Sequence, residues 1–221
     1  MMTALAKMIS FVFHPLFGVS YILLLILAVN PYLFGVNQWS DQVPLIILLV
    51  FSTVLIPGLS VVMMKALGLV QTLELEDKTD RIGPYIITGI FYLWMVVNFR
   101  NNPNIPSLFA SFMLGATIAL FLAFFINLFS KISAHTVGMG GLVAMIGILL
   151  SIYSYSDIHL DLGGLGMVEI SLSFVFLAAI FIAGLVGTAR LWLGAHDMQD
   201  LVGGYMVGAA GQLIALRFFI V

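Results

Sequence analysis

The chain has 221 residues, of which 62% are hydrophobic and only 8% charged, and its mean hydropathy is +1.17. A soluble domain carries about 25% charged residues and at most about half apolar ones, so a water-soluble globule is excluded and a polytopic membrane protein is implied. The formal charge of −2 offers no basic field for nucleic acid, and the lack of cysteine excludes disulfides, thiolate metal sites and a cysteine nucleophile.

A hydrocarbon core of roughly 30 Å needs about 20 apolar residues in a helix. Apolar runs occupy roughly 8–30, 43–67, 84–99, 107–130, 136–154, 167–189 and 201–221. They predict an all-α, polytopic membrane helical bundle of seven transmembrane helices, or six if the short run 84–99 is re-entrant, forming a single membrane domain over 1–221. The first run is notched by His14-Pro15, and Pro57 predicts a bend in the second. Because the first run lacks a small-residue cleavage site and exceeds a signal h-region, it reads as a retained span. In the last run Arg217 can snorkel to the nearby face. Gly204 and Gly208 in that run have the four-residue spacing that lets helices pack closely in lipid.

Segments 37–42, 100–106 and 155–166 read as short turns on one side of the membrane. Segments 68–83, 130–135 and 190–200 fall together on the other side, that of the N-terminus. The positive-inside rule does not orient the chain. Six basic residues stand on the N-terminal side against Arg100 and Arg217, but four of the six are candidate ligand groups, which leaves two against two.

Charges near a membrane are costly unless paired or useful, so each cluster is a candidate site. The sharpest is Arg190–Asp200. If the last helix starts near Ala195, His196 and Asp200 lie at i and i+4 on one face. The carboxylate then accepts one imidazole N–H and leaves the other nitrogen free as nucleophile or base. Arg190 suits a phosphate on the same side. Alternatively, Arg190, Asp197 and Asp200 form an interfacial ion pair around a merely satisfied His196. The second cluster is Lys131-Ile-Ser133-Ala-His135, where Ser133 and Thr136 can cap a helix whose first N–H groups face an anion, or simply cap it. In the third, Lys78 and Arg81 are three apart and would meet on a helical turn, although four nearby acids also fit a solvated loop. His14 reads as a polar helix-start group, and Asp157, His159 and Asp161 as solvated loop residues on the opposite face.

With these residues in place, the sequence resembles the type 2 phosphatidic acid phosphatase superfamily of integral membrane lipid phosphatases. That family's S-R-x5-H-x3-D motif is matched by Ala189-Arg190, five residues, His196, three residues and Asp200, with only the leading Ser replaced. Its P-S-G-H motif is matched in part by Ile132-Ser133-Ala134-His135. Its K-x6-R-P motif is matched weakly. Arg81 has its proline at Pro84, Lys78 stands three residues before Arg81, and the position seven before is Glu74. The motif-bearing catalytic region spans 78–200. The resemblance implies a metal-independent and cofactor-free phosphomonoester or diphosphate hydrolase. In it His196 forms a phosphohistidine, Asp200 orients it and His135 protonates the leaving oxygen. Arg190, Arg81, Lys78 and Ser133 would hold the phosphoryl oxygens, with Lys131 a further candidate for the displaced lysine. The implied partners are the bilayer and a lipid phosphate such as phosphatidate, phosphatidylglycerol phosphate or a polyprenyl diphosphate. The implied place is a bacterial inner or plasma membrane, with the site facing outward.

Two other classes remain open. Asp77-Lys-Thr-Asp80 and Asp197-Met-Gln-Asp200 are D-x-x-D pairs that could bridge Mg²⁺ to a diphosphate, as in intramembrane prenyltransferases, but that reading leaves both histidines idle. An inactive lipid-binding or transport relative fits the weak first motif and the proline-broken spans.

Overall fold

The computed structural model describes residues 1–75, 77–152, 157–161 and 167–220. Seven of its helical stretches are long and apolar enough to cross a bilayer. The first is α1 (Met2–Val12), a tight turn at Pro15–Phe17 and α2 (Gly18–Val29). The second includes α3 (Val43–Val50) and α4 (Ile56–Ala66), joined by one wide turn at Phe51–Leu55. Then follow α5 (Ile82–Arg100), α6 (Ser107–Phe129), α7 (Ala134–Ile152), α8 (Leu172–Trp192) and α9 (Met198–Ile220). The fold is an all-α bundle, as composition and run length predict. At 19 residues α5 reaches about 28 Å, enough for a crossing.

Three departures from the sequence reading have local causes. The sequence predicts a short turn over 155–166, but Asp157–Asp161 (β1) and Met167–Ser171 (β2) form an antiparallel hairpin, with Ile158 opposite Ile170 and His159 opposite Glu169. β1 alternates polar and apolar residues with period 2, as does β2 from Val168 onward, a signal that the run-length criterion ignores. Residues 155, 156 and 162–166 of that expected turn lie outside the described residues. The sixth span accordingly starts at Leu172, where Ser171 caps it by accepting from the Phe174 N–H. It runs past residue 189, so Arg190 lies in its last turn and not in a loop. A cation there faces the negative end of the helix dipole. The wide turn before Pro57 follows from that residue's missing N–H and from its ring, which clashes with the carbonyl four residues back.

The centre of the bundle is α9, which packs most extensively against α7 and then α6. The contact is backbone on backbone. A Cβ at Gly208 would overlap the Val137 carbonyl oxygen, and one at Gly204 would overlap Thr136. Close approach of this kind is a common way for helices to bind each other in lipid, where the hydrophobic effect offers no preference. It also sets the height of α7 against α9, and so the position of everything at their shared end.

Gly208→Val should lower Tm in detergent, followed by circular dichroism, by at least about 4 °C, because overpacking costs roughly 1–3 kcal/mol. Gly203→Ala is the matched control, since a Cβ there meets nothing within 4 Å.

Candidate functional site

At the end of the bundle where α7 and α9 begin, one cavity of about 410 Å³ is lined by Arg81, His135, Arg190 and His196, and also by His14. That size lies within the roughly 300–1,000 Å³ of small-molecule sites. Below this polar end the wall becomes apolar, with Val19, Pro57, Ala116, Leu120 and Phe112 among its residues, and it reaches Tyr92 and Gln212. Tyr92 stands eleven positions after Arg81, a rise of about 16 Å along the helix.

Each polar side chain is held by local structure. Arg190 lies in the last turn of α8, and Gly194 at φ +64° turns the chain back so that Ala195 N–H reaches the Arg190 carbonyl at 3.1 Å. Asp197 then caps α9 by accepting from the Asp200 N–H at 2.9 Å. His196 Nδ1 donates to Asp200 Oδ2 at 2.9 Å, with the imidazole side chain only 2% exposed. The Ser133 N–H donates to the Asp200 carbonyl at 3.4 Å, tying the start of α7 to the start of α9. His135 sits in the first turn of α7, and its Nε2 donates to the Ser10 carbonyl of α1 at 3.0 Å. Arg81 precedes α5. Its Nε donates to the Leu75 carbonyl at 2.8 Å and its Nη1 to the Ile132 carbonyl at 3.0 Å. Leu75 has φ +51°, the sole non-glycine residue with positive φ among those described, so the loop carrying that carbonyl is held in a costly backbone conformation.

The charge balance is lopsided. Among the described residues no carboxylate pairs with Arg81 or Arg190, and Arg190 Nε is buried with no partner at all. Asp200 is committed to His196. Glu74 also lines the cavity but is exposed. Burial pulls the Arg81 guanidinium below its ordinary value, with Tyr85, Asp200 and Asp77 opposing the shift. Burial likewise pushes the His196 imidazole down from 6.5 to about 4; the bond to Asp200 opposes this and the two guanidinium groups reinforce it. His196 is therefore neutral near pH 7, with its proton on Nδ1 and a bare lone pair on Nε2.

Of the residues proposed from sequence, the structure brings Arg81, His135, Arg190, His196 and Asp200 together. It does not bring three others. Lys78 is exposed and caps α6, its Nζ 3.4 Å from both the Leu128 and Phe129 carbonyls. The expected helical turn joining Lys78 to Arg81 does not form, because α5 begins only at Ile82. Lys131 is exposed. Ser133 is fully buried, its hydroxyl has no partner and caps nothing, and it does not line the cavity. The acids of the two D-x-x-D pairs are largely occupied: Asp80 accepts from the Gln71 N–H at 2.9 Å, while Asp197 and Asp200 make the contacts described above.

The residue to which the sequence gives only a helix-start role is His14. It does start a helical turn, its Nδ1 accepting from the Leu16 N–H at 3.4 Å. Its ring also stands nearly perpendicular to that of His135, with centroids 5.2 Å apart, and it lines the cavity. The available signal was an ionisable side chain in the middle of an apolar run, which is a functional hypothesis in its own right. No protein-family model, curated protein or solved structure matches this chain.

The depressed His196 value has a stability consequence. Between pH 6.5 and 4 the unfolded chain binds a proton that the folded imidazole refuses, so stability falls as pH falls through that window. From pH 7 to pH 5 the loss should be about 2 kcal/mol, read as a drop in Tm in detergent, and His196→Gln should remove that part of the pH dependence.

Proposed function

We propose that the protein hydrolyses the phosphate of a membrane lipid, without metal, through a phosphohistidine. The observation that carries this reading is the pair of guanidinium groups with no carboxylate partner, set beside an aspartate-oriented neutral imidazole at the mouth of an apolar cavity. Desolvated cations without counter-charge are complementary to an anion, and the apolar wall is complementary to a lipid chain. Phosphoryl transfer needs positioning and neutralised charge above all, and two arginines provide both.

In this mechanism Arg81 and Arg190 hold the phosphoryl oxygens. The His196 Nε2 lone pair attacks phosphorus and the bond to the leaving oxygen breaks. Asp200 stabilises the positive charge on the ring through the Nδ1 proton. His135, protonated at Nδ1 while Nε2 stays on the Ser10 carbonyl, gives its proton to the leaving oxygen, releasing the alcohol or monophosphate. A water then attacks phosphorus, the P–N bond breaks, and the water's proton returns to His135. The substrates that fit are phosphatidate, phosphatidylglycerol phosphate or a polyprenyl diphosphate, in a bacterial inner or plasma membrane with the site facing outward.

The test is phosphate release from a panel of lipid phosphates by detergent-purified protein in EDTA. Release should persist in EDTA, be blocked by vanadate, and fall at least about a thousandfold in His196→Ala. Release that His196→Ala leaves intact removes the mechanism, and release that EDTA abolishes favours a metal-dependent reaction.

A further inference from the structure

We propose that His14, from the broken first span, is a phosphate-binding residue of this same site, donating its Nε2–H to a phosphoryl oxygen. The assignment rests on the reading of the cavity as a phosphate site. It follows from accounting for the imidazole nitrogens around the cavity. His196 gives its Nδ1 proton to Asp200, so its Nε2 is bare. His135 gives its Nε2 proton to the Ser10 carbonyl, so its Nδ1 is bare when the ring is neutral. His14 is wired the other way. Its Nδ1 accepts from the Leu16 N–H, so the proton of the neutral ring is on Nε2, and no group among the described residues is bonded to that nitrogen. Of the three rings, only His14 offers the cavity an N–H without first being protonated.

A neutral N–H from a third direction would add to what the guanidinium groups give an anion with three or more oxygens. Arg81 has already spent two of its N–H groups on the Leu75 and Ile132 carbonyls. The two lysines nearest in sequence to the site residues do not line the cavity. The chain break that places His14 here is built by Pro15, which supplies no N–H to compete for Nδ1 and starts the turn that presents Leu16 N–H to it.

The experiment is binding of inorganic phosphate to the detergent-purified full chain by titration calorimetry, in wild type, His14→Asn and His14→Gln. Asn keeps an acceptor for the Leu16 N–H, and so the turn, but its side chain is too short to reach the cavity as Nε2 does. Gln can carry an amide N–H close to that position. His14→Asn should weaken phosphate binding about tenfold, and His14→Gln should retain most of the affinity. In wild type, the ¹⁵N-resolved His14 Nε2 proton should also shift on adding phosphate, a readout that needs no variant to fold. Wild-type affinity in a folded His14→Asn, a His14 resonance that phosphate leaves unmoved, or no binding by wild type would each overturn the assignment. Phosphate bound through His14, with none released from any lipid, would support it while removing the phosphatase reading.

Discussion

The arrangement depends on how closely α9 lies against α7. Gly204 and Gly208 put backbone against backbone, and at the end of that contact the Ser133 N–H meets the Asp200 carbonyl. Asp200 orients His196, and His135 follows Ser133 by two residues. A single helix-packing height therefore fixes two imidazoles that are 61 positions apart in the chain, the difference between 196 and 135. In lipid no hydrophobic gradient pulls helices together, so the height is set by which side chains are small enough to vanish from the interface.

The second constraint is electrostatic. Arg81 and Arg190 come to the cavity on different elements, one tied by carbonyls of its own loop and of the segment before α7, the other with its Nε unpartnered. Placing like charges together in a partly desolvated pocket is unfavourable by itself and becomes favourable when an anion enters. The guanidinium groups also help to keep His196 neutral, while Asp200 keeps the resulting lone pair pointed away from itself. On the proposed reading, binding charge and an available nucleophile are two outcomes of one placement.

Much of the fold was legible from run length alone, because a membrane helix must satisfy its backbone internally and announces itself by apolar residues. The His196–Asp200 pair was legible from its four-residue spacing, although α9 begins only at Met198 and not near Ala195, so His196 reaches Asp200 from the turn before the cap Asp197 and not from the helix itself. The same rule failed for Lys78 and Arg81, where the chain is a loop and Lys78 instead meets the free carbonyls at the end of α6. The hairpin of β1 and β2 was missed because its alternation is short and lies between two longer apolar signals.

The amino-acid sequence by itself determined the all-α membrane class, the helical spans and the local pairing at the start of α9, because each depends on neighbours within a few turns of chain. Only the tertiary structure decided which side chains share the cavity. Ser133, Lys78 and Lys131 were excluded and His14 was included by packing between helices remote in sequence. No local periodicity encodes that height and rotation, and the histidine beside Pro15 acquired a place in the site only when α1 brought the Ser10 carbonyl to His135.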